Sequence, residues 1–106
     1  MTTPGPTTTI PWDTEPHPHG PSDIQWEALR FCEATGSYTA INPTGKYRGA
    51  YQFSRQTWDW IAGLHFEHLV GVDPAVAVPA DQDRMAQALY DLRGRGQWPV
   101  CGRYLP

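Results

Sequence analysis

From Ser22 onward, apolar residues recur at helical spacing in three separate stretches, broken by Gly, Pro and capping residues. Ser22-Asp23-Ile24-Gln25 has the form of a capping box, with Pro21 before it. It predicts a first helix from Asp23 to about Thr35, with Ile24, Ala28, Phe31 and Cys32 facing inward and Gly36 as the cap that ends it. Ser54 predicts the start of a second helix, SRQTWDWIAGL, with Trp58, Ile61 and Ala62 inward. HFEHLVG continues it for one or two turns, and Asp73-Pro74 opens a short helical turn. Pro79 opens the last helix, with Met85, Ala86, Leu89 and Leu92 inward and Gly94 at its end. Between the first two helices lies SYTAINPTGKYRGAYQF. Its Asn42-Pro43-Thr44-Gly45 turn signal, set between aromatic-bearing runs, predicts a short β-hairpin over Ser37 to Phe53. Gly49 falls where the chain bends or is closely approached. The fold class expected is α+β, mostly helical.

Composition changes the picture at the N-terminus. Residues 1–21 hold six of the eleven prolines and six threonines, with almost nothing apolar. Such a stretch cannot bury enough surface to offset its ordering entropy, so it reads as a disordered tail. The domain expected is 22–106. About 85 residues is a size at which a covalent staple helps.

The net charge of −3 comes without any basic run or face, which argues against a nucleic-acid partner. No apolar run approaches the roughly 20 residues of a membrane span. No charged-then-apolar signal peptide is visible either, so export would follow leader removal or another route. A monomer is expected.

Cys32 and Cys101 stand near the two ends of the helical part. A disulfide between them would suit an oxidising compartment, and two reduced thiols would suit the cytosol. His65 and His68 share a helical face without any Cys-x-x-Cys beside them, and His17 and His19 in HPHG are a weak signal. No metal and no cofactor are expected.

Glu33 sits in the last turn of the first helix, directly after Cys32. The negative end of the helix dipole disfavours its anion. Phe31, Tyr38 or Trp58, if close, would desolvate it and raise its pKa further. A carboxylic acid kept protonated near neutral pH is what cleavage of a glycosidic bond requires. The hairpin contains no Asp or Glu, and Asp59 reads as solvated, so a second catalytic carboxylate is missing.

Trp26-Glu27, Cys32-Glu33, Gly36, GKYRGAYQFS with Thr57-Trp58, and WPVCG at 98–102 follow one another in a recognisable order. Over residues 24–102 the chain resembles the transglycosylase-like, lysozyme-like catalytic domain of the actinobacterial resuscitation-promoting factors. The resemblance implies a small lysozyme-like domain that is secreted to the cell wall and cleaves peptidoglycan glycan strands. It implies Glu33 as the catalytic acid and a Cys32–Cys101 disulfide. It places a glycan groove on Tyr38, Asn42, Tyr47, Gln52, Thr57 and Trp58. With one carboxylate, the substrate's N-acetyl group would assist, giving hydrolysis or lytic transglycosylation. Other cell-wall hydrolases are implied as partners. Ala34-Thr35-Gly36 departs from the family's usual Ser-Gly-Gly, which alters how the loop meets the sugar. A peptidoglycan-binding module without turnover, or a disulfide-stapled interaction domain, would use the same scaffold.

Overall fold

The computed structural model describes residues 20–106, so the expected tail lies, but for its last two residues, outside the described residues. Three α-helices carry the fold: α1 (Asp23–Ala34), α2 (Arg55–His65) and α3 (Pro79–Arg93). Short 3₁₀ turns follow at Glu67–Leu69, Gly94–Gln97 and Cys101–Tyr104. None of these helices is long and apolar enough to cross a membrane.

The start signals act as their chemistry dictates. Ser22 Oγ accepts from Gln25 N at 3.2 Å, and Gln25 Oε1 accepts from Ser22 N at 2.8 Å. Ser54 Oγ accepts from Thr57 N at 3.1 Å. The end of α1 comes one residue before the glycine: Thr35 takes the left-handed conformation at φ 50°, and Gly36 N returns to Arg30 O at 3.1 Å.

The inner face of α1 is rotated from the expected stripe. Trp26 and Leu29 enter the core, Ala28 is buried and Cys32 half-buried, but Phe31 is 68% exposed and Ile24 only partly covered. Trp26 sets the rotation. Its ring meets Tyr51, Tyr90 and Trp98 edge-on, at centroid distances of 5.8, 6.0 and 6.0 Å. On α2, Trp58, Ile61 and Ala62 face the core. On α3, Met85, Ala86 and Leu89 do so while Leu92 is exposed. Asp73-Pro74 forms a turn rather than a helix: the Asp73 carbonyl accepts from Val76 N and Ala77 N.

No hairpin forms. Among the described residues there are only isolated bridges, Ile41 with Arg48 and Arg48 with Phe53. Positive φ at Gly45, Gly49 and Gln52 bends the chain too often for a ladder to extend. The mostly helical expectation therefore holds, and its β component does not. The loop is held by side chains instead. Buried Gln82 on α3 accepts from Ala50 N (2.9 Å) and donates to Tyr38 O (2.9 Å) and Ala77 O (2.8 Å). Gly49 passes so close that a Cβ there would lie 2.6 Å from Gln82 Oε1. Arg48 pairs with Asp73 through two bonds of 2.7 and 2.8 Å.

Cys32 and Cys101 are joined in a disulfide across 69 residues of chain. It fastens the closing segment to the last turn of α1.

Candidate active site

A cleft of about 550 Å³ opens where three stretches of chain meet. The last turn of α1 contributes Glu33. The loop and the start of α2 contribute Asn42, Tyr47, Gln52, Ser54 and Thr57, and the closing segment runs from Gln97 to Cys101. The disulfide sets the distance between the first and third stretches, because Cys32 is the neighbour of Glu33 and Cys101 lines the cleft.

Among the described residues, Glu33 is the only ionisable carboxylate lining this cleft, and no Lys, Arg or His lines it. Burial pushes its carboxyl pKa up. The aromatic residues expected beside it, Phe31, Tyr38 and Trp58, do not line this cleft. Phe31 belongs to a separate apolar concavity with Ile24, Glu27 and Tyr104. The residues that share the cleft with Glu33 are Trp98 and Tyr47. Trp98 is itself fixed, with Nε1 donating to Tyr51 O at 3.1 Å.

Of the expected groove residues, Asn42, Tyr47, Gln52 and Thr57 come together in the cleft. Trp58 does not. It is 1% exposed, and its Nε1 donates to Leu69 O at 2.9 Å, so its ring has no face for a sugar. It is a core residue because helix periodicity turns position 58 inward with Ile61 and Ala62. Tyr38 is also placed elsewhere. Its hydroxyl donates to Asp83 Oδ1 at 2.7 Å, alongside Tyr51, whose hydroxyl does the same at 2.7 Å. Arg30 donates to that Tyr51 oxygen at 2.9 Å. Asp59 is exposed and caps the Gly71 N–H at 2.8 Å.

Sequence reasoning missed the closing wall: Gln97, Trp98, Pro99 and Val100. Trp98 and Val100 lie in the WPVC motif, but that motif pointed only to the cysteine. Gln97 carries no local signal. A further concavity of about 500 Å³, between α1 and α3, is lined by Asp23, Arg30, Asp83 and Arg84. Three of these charges are paired within the protein: Arg30 lies 3.9 Å from Asp83, and Arg84 lies 3.3 Å from Asp81. Among the described residues no group of His, Cys, Asp and Glu is arranged to hold a metal ion.

Residues 20–101 match the family model described as a transglycosylase-like domain. The resuscitation-promoting factor RpfD of Mycobacterium tuberculosis is 38% identical over 79 residues, covering 74% of this chain and 46% of that protein. The probable transglycosylase SceD of Staphylococcus epidermidis is 42% identical over 77 residues, covering 73% of this chain and 33% of that protein. SceD of Staphylococcus aureus is 41% identical over 66 residues, covering 62% and 27%. The chain thus spans less than half the length of each of these relatives.

Proposed function

The chain belongs to the transglycosylase-like domain family, and on that premise we propose that it cleaves the glycan strands of peptidoglycan, with Glu33 acting first as general acid and then as base. The observation that carries this reading is the solitary carboxyl in the cleft, whose pKa burial raises. A raised pKa keeps the proton on Glu33 at a pH where an exposed glutamate has lost it. Glu33 then has a proton to give the glycosidic oxygen as the bond breaks.

With no second carboxylate lining the cleft among the described residues, the positive charge that develops at the sugar is met by the substrate's own N-acetyl oxygen. Glu33, now ionised, takes a proton from the incoming nucleophile. That nucleophile is either the sugar's 6-hydroxyl, giving an anhydro end, or water, giving a reducing end. Asn42, Tyr47, Gln52 and Thr57 would hold the strand, Tyr47 by stacking and the others by hydrogen bonds. The disulfide fits a protein that works outside the cytoplasm, where peptidoglycan lies.

Glu33→Gln keeps the shape of the side chain and removes its titration. Wild-type protein is expected to release soluble muropeptides from purified cell walls, and the variant to release none above background. Mass spectrometry of the fragments reports anhydro against reducing ends. Full activity in the variant would rule out the assignment. Retention of glycan by the wild type without any fragments would make the cleft a binding site only.

A further inference from the structure

The two sides of the cleft differ in how their polar groups are committed. On the loop side Asn42, Gln52 and Ser54 have each already spent a side-chain atom inside the protein. Asn42 Oδ1 accepts from Thr44 Oγ1 at 3.0 Å and from Tyr47 N at 3.2 Å. Gln52 Nε2 donates to Gly49 O at 2.9 Å, and Ser54 Oγ accepts from Thr57 N. These side chains are oriented in advance, and each has only its remaining polar atoms for a ligand.

Gln97, on the closing wall, is different. It lines the cleft, and its amide makes no hydrogen bond among the described residues. On the same wall stand Pro99 and Val100, the latter 68% exposed. A free primary amide and an exposed isopropyl group lining one cleft complement a secondary amide that carries a methyl group. Gln97 can donate to the carbonyl of such an amide or accept from its N–H, while Val100 covers the methyl.

Resting on the glycan-cleaving reading above, we infer that Gln97 and Val100 form a subsite that recognises a methyl-bearing secondary amide on the glycan. Two groups of peptidoglycan have this chemistry: the acetamido group of the sugars, and the lactyl–alanine amide where a peptide is attached. A free lactyl carboxylate lacks the amide, and among the described residues no cationic side chain lines the cleft to pair with it. Strands stripped of peptide therefore gain nothing at this subsite through their lactyl group.

The subsite is tested by calorimetric titration in the Glu33→Gln background, so that the ligand is not consumed. Three probes are used: a chitooligosaccharide, soluble peptide-bearing glycan strands, and the same strands after amidase removal of the peptides. Gln97→Ala is expected to weaken binding about three- to tenfold, and Val100→Ser about two- to fivefold. A loss on all three probes assigns the acetamido group. A loss on the peptide-bearing strands alone assigns the lactyl amide. Both variants should keep the parental thermal midpoint, since neither side chain has an internal hydrogen bond and Val100 is exposed. Unchanged affinity for every probe in both variants overturns the subsite while leaving the cleavage reading intact. If the parent binds none of the probes and the wild type releases no fragments from cell walls, the glycan reading itself fails, and the subsite with it.

Discussion

Two walls face Glu33, and they are held in place by different physics. The loop wall, 37–57, is tied by polar contacts: two hydrogen bonds to buried Gln82, through Ala50 N and Tyr38 O, and the two-bond pair between Arg48 and Asp73. The closing wall, 97–101, is tied by the disulfide and by the Trp98 ring wedged edge-on against Trp26. Gly102 sits against the Arg95 carbonyl, where any Cβ would collide with the oxygen. One hydrogen bond, Trp98 Nε1 to Tyr51 O, joins the two walls. A loop without a β-ladder needs side-chain partners for its backbone groups. A short closing segment with little core of its own needs a cross-link. One cleft thus depends on hydrogen-bond geometry on one side and on oxidation state on the other.

Reduction should separate the walls most sharply. Replacing Cys32 and Cys101 together with serine removes a cross-link spanning 69 residues, worth on the order of 4 kcal/mol by loop-closure entropy. The expected fall in thermal midpoint is about 15–30 °C. A reductant should lower the wild type to the same value and leave the double variant unmoved. A double variant as stable as the wild type would show that packing of Trp98 suffices without the bond.

The loop wall is broken next. Gln82→Leu leaves Ala50 N, Tyr38 O and Ala77 O without their partner, at an expected cost of about 3 kcal/mol in denaturant unfolding. Gly49→Ala should act on the same contact, since it forces a side chain toward Gln82 Oε1 at positive φ. Neither effect should respond to reductant beyond the loss seen in the wild type.

The smallest effects are those of pH, and they run in opposite directions. Arg48 holds the Asp73 carboxyl down to about 2, below its ordinary 3.8. The stability this contributes is fully present above the ordinary value and is lost as pH falls through about 2. Asp73→Asn should flatten that acid limb. Glu33 is shifted upward by burial from its ordinary 4.5, so the folded state holds the proton more tightly than the unfolded chain does. Its ionisation costs stability as pH rises from 4.5 through the raised value. Glu33→Gln should therefore be slightly more stable than the wild type at neutral pH and equal to it in acid. Cleavage by the wild type should decline over the same rise in pH. An unfolding series across pH measures both limbs.

How much could be read in advance follows from where each signal resides. Ser22, Ser54 and Pro79 act within one helical turn of themselves, so the three helix starts were legible. Glu33 was legible through its place beside Cys32 in an ordered set of motifs. The rotation of α1 was not, because Ile24 and Phe31 are as apolar as Trp26 and Leu29, and only the aromatic cluster beyond the helix chooses between them. Trp58 was misread as a groove residue because an indole ring has the same identity in a core as in a cleft. The hairpin was misread because its turn residues were recognised without the further bends at Gly49 and Gln52.

The sequence by itself determined the three helices, the acid at the end of the first, and the cysteines that could staple it, since caps, periodicity and residue chemistry are local properties. The tertiary structure alone decided which aromatic rings are buried, that a loop stands where a hairpin was expected, and that Gln97 and Val100 line the same cleft as the acid. Those outcomes depend on contacts between residues up to 69 positions apart, and no local pattern encodes which partner a side chain will meet.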